Sequence, residues 1–360
     1  MHELHQTLEA LIAGFHGILH EKDEYFLRNM QRYNLKGDEI SRYQFWEWPQ
    51  GIGLFALTQL WQKNRDPKQL MFLTSFYDQR IREGLPAKNI NTMAPILALS
   101  LLAKERPKPS YLSTCREWAE WAMHELPRTA EGGFQHITSD TINNGELWDD
   151  TLMMAVAPLA TIGVLLDEKR YQQEAIRQVR IHAKYLQDKT TGLWFHGYSF
   201  IEHSNFSGSF WGRGNCWVTI SLPFLMETLS LNKDDYAFFS SLLTDQAHAL
   251  KACQDTKGMW HTLLDDSSSY LEASATCGFA YGLLRSQRLG FLDSSYQEVA
   301  LRALSPIMDL IDDEGSVSQV SYGTPMGRTD KDFYKQIPLV KMPYGTALAL
   351  LYLIEAQHAE

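Results

Sequence analysis

Two adjacent carboxyl groups are the strongest chemical signal in this chain. The segment Glu146-Leu147-Trp148-Asp149-Asp150-Thr151 places Asp149 and Asp150 at the head of a long apolar stretch that reads as a buried helix. An aspartate there is a standard N-cap or first-turn residue, because it satisfies orphan amides and meets the positive end of the helix dipole. One of the pair is expected to act as that cap, and the other to face the space above the helix. A carboxyl group beside Trp148 has its proton affinity raised by poor solvation, which is what a general acid needs. A second cluster, Phe210-Trp211-Gly212-Arg213-Gly214-Asn215-Cys216-Trp217, sets an arginine among tryptophans and glycines at the start of another apolar stretch. Arginine is the usual bidentate partner of a carboxylate. Trp211 beside Arg213 is equally consistent with plain cation–π packing.

Three histidines arrive in a recurring phrase. Gly133-Phe134-Gln135-His136, Gly192-Leu193-Trp194-Phe195-His196 and Gly258-Met259-Trp260-His261 return at intervals of about 60 residues, each shortly before an apolar stretch. Such recurrence marks a repeated structural unit, and its glycines suit sharp turns. The histidines lie too far apart for a ligand spacing such as HExxH. Hydrogen bonding to hydroxyls fits them better, and His261 reads equally well as structural. Trp46 and Trp48 precede the first apolar stretch, Asn91 and Thr92 open the second, and Glu272 opens the fifth, where it reads as a first-turn acid. There is no P-loop, no GxGxxG after a strand, no GxSxG and no CxxC. Neither a metal nor an organic cofactor is expected.

The elements that must position these residues follow from hydropathy. Stretches 51–60, 92–102, 151–165, 217–229, 273–284 and 344–354 are apolar nearly all round and belong inside the protein. More polar, amphipathic stretches alternate with them at 67–82, 111–124, 169–187, 234–252 and 294–309, with a first one within 3–32. Six inner and six outer helices predict an all-α (α/α)6 barrel. No Pro/Gly/Ser-rich linker interrupts the chain, so 1–360 is expected to form a single domain. The long segments 127–147 and 193–215 should gather at one mouth, where loops on a rigid scaffold commonly carry function.

Composition narrows the partners. Of 360 residues, 44% are hydrophobic and 12% aromatic, with ten tryptophans, which suits a large core and flat walls for sugar rings. A net charge of -10 argues against nucleic acid and anionic membrane. No stretch has the length and purity of a transmembrane helix, and no signal peptide is visible. Cys115, Cys216, Cys253 and Cys277 are scattered and read as reduced thiols, so a cytoplasmic location is expected.

The ordered series Trp46-Glu47-Trp48-Pro49-Gln50-Gly51, Gly132-Gly133-Phe134-Gln135-His136, Leu147-Trp148-Asp149-Asp150-Thr151-Leu152, Thr191-Gly192-Leu193-Trp194-Phe195-His196 and Phe210-Trp211-Gly212-Arg213, continued through 260–274, resembles glycoside hydrolase family 105. This is the family of unsaturated rhamnogalacturonyl and related unsaturated glucuronyl hydrolases. The resemblance implies that Asp150, in a Trp-x-Asp pattern, is the catalytic acid. It implies that His136, His196, Trp211, Arg213 and Trp217 line the sugar subsite, with Trp48 and Trp148 adding aromatic surface. Asn91 stands where relatives can carry a second aspartate, and can hold a hydroxyl or water. The implied substrate is an unsaturated uronyl di- or oligosaccharide left by a polysaccharide lyase, and the implied reaction is acid-catalysed hydration of its 4,5-double bond. Two alternatives keep the barrel: a sugar 2-epimerase using His196 and His261 as acid and base, and a non-catalytic carbohydrate-binding protein.

Overall fold

Helices that bury every face can pack only with other helices around them, and the chain solves this by closing a ring. In the computed structural model, which describes residues 2–20 and 37–359, the inner helices are α3 (Trp48–Asn64), α5 (Ile90–Glu105), α7 (Ala157–Leu165, entered through a wider π turn Leu152–Val156), α9 (Gly212–Thr228), α11 (Ala273–Arg288) and α14 (Pro343–Ala356). Each touches the next in this order, and α14 returns to α3, which closes the ring. The outer helices are α1 (His2–His20), α4 (Pro67–Glu83), α6 (Pro109–His124), α8 (Lys169–Leu186), α10 (Lys233–Cys253) and the pair α12 (Ser295–Leu301) and α13 (Leu304–Met308). The chain is an (α/α)6 barrel. The contact of α1 with α14 joins the two ends of the sequence.

Sequence patterning located the helices but missed four details. The sixth outer element, expected as one helix over 294–309, is two short ones. A short helix α2 (Gly37–Gln44) lies between α1 and α3. The first outer helix, sought within 3–32, is His2–His20, and the rest of that window lies outside the described residues. Two small antiparallel sheets also form: β1 (Glu146–Trp148) with β2 (Gly197–Ser199), and β3 (Val320–Ser321) with β4 (Leu339–Val340). Strands this short carry almost no periodic signal.

The recurring phrase marks a turn that repeats around the barrel. After an outer helix the chain reverses through a glycine with positive φ, at Gly132 (+81°), Gly192 (+82°), Gly258 (+83°) and Gly315 (+74°). In the first repeat the turn residue is thus Gly132 and not Gly133. At the last three positions an added Cβ would collide with a backbone carbonyl of the following outer layer: Asp245, Arg302 and Ala10 respectively. Glycine is required twice over, for φ and for close approach. Helix starts are also specified locally. Asp66 accepts from the Lys68 amide at 2.9 Å to cap α4, and Asn89 with Thr92 forms a capping box on α5.

This predicts a graded pair of substitutions. Gly192→Ala adds the cost of a left-handed residue, about 1–2 kcal/mol, to an overpacking cost of about 1–3 kcal/mol. Gly208→Ala, at φ +66° with nothing within 4 Å of the new Cβ, should show only the first. Urea unfolding of both variants tests this, and equal destabilisation would contradict it.

Candidate active site

The segments that enter the inner helices converge on one cavity of about 1120 Å³. Its walls come from the starts of α3 (Glu47, Trp48, Gln50), α5 (Asn91) and α9 (Trp211, Arg213), and from the segment leading to α7 (His136, Trp148, Asp150). The stretch before α14 adds Thr324, Met326 and Arg328, and the first turn of α14 adds Tyr344. N-terminal ends of several helices therefore face one space, a field that favours a bound anion.

The β1–β2 ladder assembles the chemical centre. Trp148 pairs with Gly197 and Leu147 with Tyr198, and the Asp149 amide donates to the His196 carbonyl at 3.1 Å. Asp149 and Asp150 are thereby held beside His196, although 46 residues separate Asp150 from it in sequence. The π turn follows at once, with the amides of Met153 and Met154 both donating to the Asp150 carbonyl at 3.1 and 3.0 Å. Such a widened turn changes the aim of side chains at a helix start and is frequent at functional sites.

The two carboxyl groups occupy different environments. Asp150 leaves 17% of its side chain accessible to the cavity, whereas Asp149 is fully buried behind it. Neither caps the helix: both Asp149 oxygens and Asp150 Oδ2 lack a hydrogen-bond partner of ordinary geometry. The expectation that one would cap is therefore corrected. Burial and then the neighbouring Asp150 charge push Asp149 well above the usual carboxylate range. Burial acts upward on Asp150 as well, but His196 and His136 oppose it and bring the group to about 2. Burial also lowers both imidazoles, His136 to about 4, so their charges fade by neutral pH and the His196 N–H remains the favourable contact. The raised proton affinity expected at Asp150 falls on Asp149 instead, because Asp149 is the deeper of the two.

The tautomer of His196 follows from its neighbours. The Gly327 amide donates to the Tyr334 hydroxyl oxygen at 2.9 Å. The Tyr334 proton is thus available to His196 Nδ1, 2.6 Å away. Nδ1 then accepts, and Nε2 carries the hydrogen directed at Asp150 Oδ2, 3.5 Å distant. His136 stacks on Trp148 with ring centroids 4.4 Å apart and meets Thr151 Oγ1 at 2.9 Å. Trp148 donates from Nε1 to Glu146 at 2.9 Å, and Arg328 binds the other Glu146 oxygen at 2.8 Å.

The structure brings Trp48, Asn91, His136, Trp148, Asp150, Trp211 and Arg213 to the cavity wall. His196 and Trp217, expected there, stand one layer back. His196 reaches the space through Asp150, and Trp217, 1% exposed, packs edge-on beneath Trp48 at 5.6 Å. Arg213 does not offer a free bidentate fork. Its Nη1 donates to Ser321 Oγ at 2.6 Å and its Nη2 to Thr324 Oγ1 at 2.8 Å. Glu272 lies 3.6 Å from Nη1. Glu272 also caps α11 by accepting from the Ala275 amide at 2.6 Å, so it is both first-turn acid and arginine partner. Arg213 stacks over Trp211 and Tyr344, 4.7 Å from each ring. His261 is held by the Ser269 carbonyl at 2.5 Å and faces Asp255, and it does not line the cavity. The His196–His261 pair needed by the epimerase alternative is not assembled.

Sequence reasoning missed two groups. Glu47 lines the cavity and accepts from Ser139 Oγ at 3.1 Å. It sat inside the Trp46-Glu47-Trp48 phrase and could have been singled out there. Tyr334 lies on a 3-10 turn far along the chain, and no local pattern announces it. Among the described residues, Asp149, Asp150 and His196 form a group of metal-type donors, one atom from each lying within 4.8 Å of the others. A single shared proton accounts for the carboxyl pair equally well. No helix of the described residues is long and apolar enough to cross a membrane.

Comparison with known proteins agrees with the geometry. Residues 22–359 match the family model described as Glycosyl Hydrolase Family 88. The chain is 32% identical to the unsaturated rhamnogalacturonyl hydrolase YesR of Bacillus subtilis, over 86% of this chain and 89% of that protein. It is 43% identical to a solved structure from Salmonella enterica serovar Paratyphi A described as a possible member of the GH105 family. That match covers 98% of this chain and 94% of the other, with a TM-score of 0.88. A similarly described structure from Klebsiella pneumoniae is 41% identical over 98% and 93% of the two chains, with a TM-score of 0.89. With its barrel, its carboxyl pair at the mouth and this run of relatives, the chain belongs to glycosyl hydrolase family 88 and is a glycoside hydrolase.

Proposed function

We propose that this enzyme hydrates the 4,5-double bond of an unsaturated uronyl residue at the end of a short oligosaccharide and so releases the next sugar. The observation that carries this is the placement of Asp150. It is the one carboxyl of a buried pair that opens into an aromatic-walled cavity. The similarity to the unsaturated rhamnogalacturonyl hydrolase YesR supports the substrate class.

The terminal ring is a vinyl ether. Asp150 donates a proton to C4, positive charge develops at C5 and the ring oxygen, and water adds at C5. Asp150, now a carboxylate, takes the proton that the water loses. The hemiketal then opens and expels the attached sugar. Asn91 and His136 are the polar groups on the wall suited to holding hydroxyls and the water, and His196 acts through Asp150. Trp48, Trp148 and Trp211 supply flat apolar surface for the rings. The uronate carboxylate is received by Arg213 and the helix N-terminal ends. Arg213 contributes charge tempered by Glu272, since its fork is committed within the protein.

Glu47 favours a second reading. A second carboxyl in the cavity permits conventional hydrolysis, with Asp150 as acid and Glu47 as base. Burial pushes Glu47 up to about 7, with the Ser139 hydrogen bond opposing and Asp140 adding to the rise, so it ionises in the neutral range.

Three outcomes are expected. A panel of lyase-generated unsaturated disaccharides should be consumed, with loss of the double-bond absorbance, while saturated uronides are left intact. Asp150→Asn should fold and lose about two orders of magnitude or more in kcat. Above about pH 7, ionised Glu47 adds an anion to a cavity that takes an anionic substrate, so KM should rise. Glu47→Gln should flatten that rise and leave kcat within about threefold of wild type. A collapse of kcat in Glu47→Gln would instead identify Glu47 as a catalytic base.

A further inference from the structure

We infer that Asp149 stores the proton that Asp150 delivers: the two carboxyl groups share one hydrogen across their contact, and Asp149 hands it forward when substrate is bound. This deepens the hydration reading above and rests on it. Asp149 does not touch the cavity, so it is a positioning residue and not the group that meets substrate.

The geometry leaves few other ways to satisfy these atoms. Three carboxyl oxygens, both from Asp149 and Oδ2 from Asp150, are buried and without ordinary partners. Two ionised carboxylates would face each other with only the neighbouring backbone amides at Asp149 and the distant His196 N–H as donors, and keeping both charged at a largely buried contact is unfavourable. One proton between them supplies the missing donor. The space behind Asp149 is already filled. Gly214 lies so close that an added Cβ would overlap Asp149 Oδ2 and stand 2.7 Å from Oδ1. No lysine or arginine among the described residues stands within ion-pair distance of either aspartate; His196 is the basic group that does.

The other groups around the pair do not supply that proton. Tyr334 is occupied by Gly327 and His196, and its hydroxyl is pushed up, first by burial. The Cys216 thiol on α9 is pushed well above its ordinary value by burial and stays un-ionised. Arg213, also on α9, is turned to Ser321 and Glu272. His136 faces the pair as a neutral base at neutral pH. Glu146 on β1 is bound by Trp148 and Arg328, and Asp140 acts from a distance through His136. The raised proton affinity of Asp149 agrees with this placement.

The proton balance closes. At rest Asp149 is a carboxylic acid and Asp150 a carboxylate. An anionic uronate entering the cavity makes a second negative charge at Asp150 unfavourable, so the hydrogen passes from Asp149 to Asp150. The C4=C5 electron pair takes that hydrogen to form C4–H. Water forms the C5–O bond, and its surplus proton returns to Asp150 and then to Asp149. One water is consumed, and the pair ends as it began.

The test combines kinetics with infrared spectroscopy. Wild type should hold its kcat well above the ordinary carboxylate range, because the pair keeps its proton there. In Asp149→Asn the amide donates a hydrogen bond but has no transferable proton. Its alkaline limb should move down by at least about 1 pH unit, so that the activity lost relative to wild type grows as pH rises from about 5 to about 8. A merely structural role would lower activity equally at all pH. In a Glu47→Gln background, which removes the other carboxyl that is partly un-ionised near pH 7, the carbonyl stretch of an un-ionised carboxylic acid should be present at neutral pH, persist when Asp150→Asn is added and vanish when Asp149→Asn is added. This band needs no turnover, so its presence in the proteins that keep Asp149 decides the point even if Asp149→Asn folds poorly, and it survives a failure of the hydration reading alone. An unmoved alkaline limb, or no such band in Glu47→Gln, would overturn the proposal.

Discussion

The backbone ladder between Glu146–Trp148 and Gly197–Ser199 is three residue pairs long, and the arrangement of the site depends on it. It brings the end of one long connecting segment against the start of another, each held in turn by an inner helix. Through it Asp149 is pinned behind Asp150, His196 is set against both, and Trp148 is held between two imidazole rings, stacked on His136 and edge-on to His196. Lengthening either segment by one residue would move the side chains to opposite faces and separate the acid from its imidazole.

The barrel's contribution is to aim and to hold. Inner helices α3, α5, α9 and α14 present N-terminal ends to one cavity, where their amides and dipoles favour negative charge. The repeated glycine turns allow the outer layer to press directly on the segments that carry His196 and its neighbours. Rigidity there matters because the two carboxyl groups are told apart by depth and by the imidazole that faces Asp150. Fully buried Asp149 favours its acid form, whereas Asp150, open to the cavity and faced by an imidazole N–H, favours the carboxylate. A small shift in burial would exchange their roles.

The helical ring, the order of its members and several wall residues were legible in the sequence because apolar periodicity and turn chemistry are local. Trp48, Asn91, His136, Trp148, Asp150, Trp211 and Arg213 all reach the cavity. What was not legible depends on distance in the chain. Arg213 looked free because Glu272, Ser321 and Thr324 approach it from 59 or more residues away. Trp217 looked like wall, but one helical turn beyond Arg213 it points beneath Trp48. Asp149 and Asp150 are indistinguishable as neighbours in sequence, and only the ladder and the π turn separate them by depth. Tyr334 is brought to His196 from 138 residues along the chain, which no local pattern encodes, whereas Glu47 stood in the Trp46-Glu47-Trp48 phrase and could have been singled out there.

The central claim is that water adds to C5 of an unsaturated uronate, not to a glycosidic carbon. Turnover of an unsaturated disaccharide in heavy-oxygen water, followed by mass spectrometry of both products, tests it most directly. Hydration initiated at Asp150 predicts one heavy oxygen in the released uronate, at C5, and none on the leaving sugar. Label at the anomeric carbon C1 of the released uronate, where conventional hydrolysis puts the water, or equal cleavage of a saturated uronide, would contradict that account.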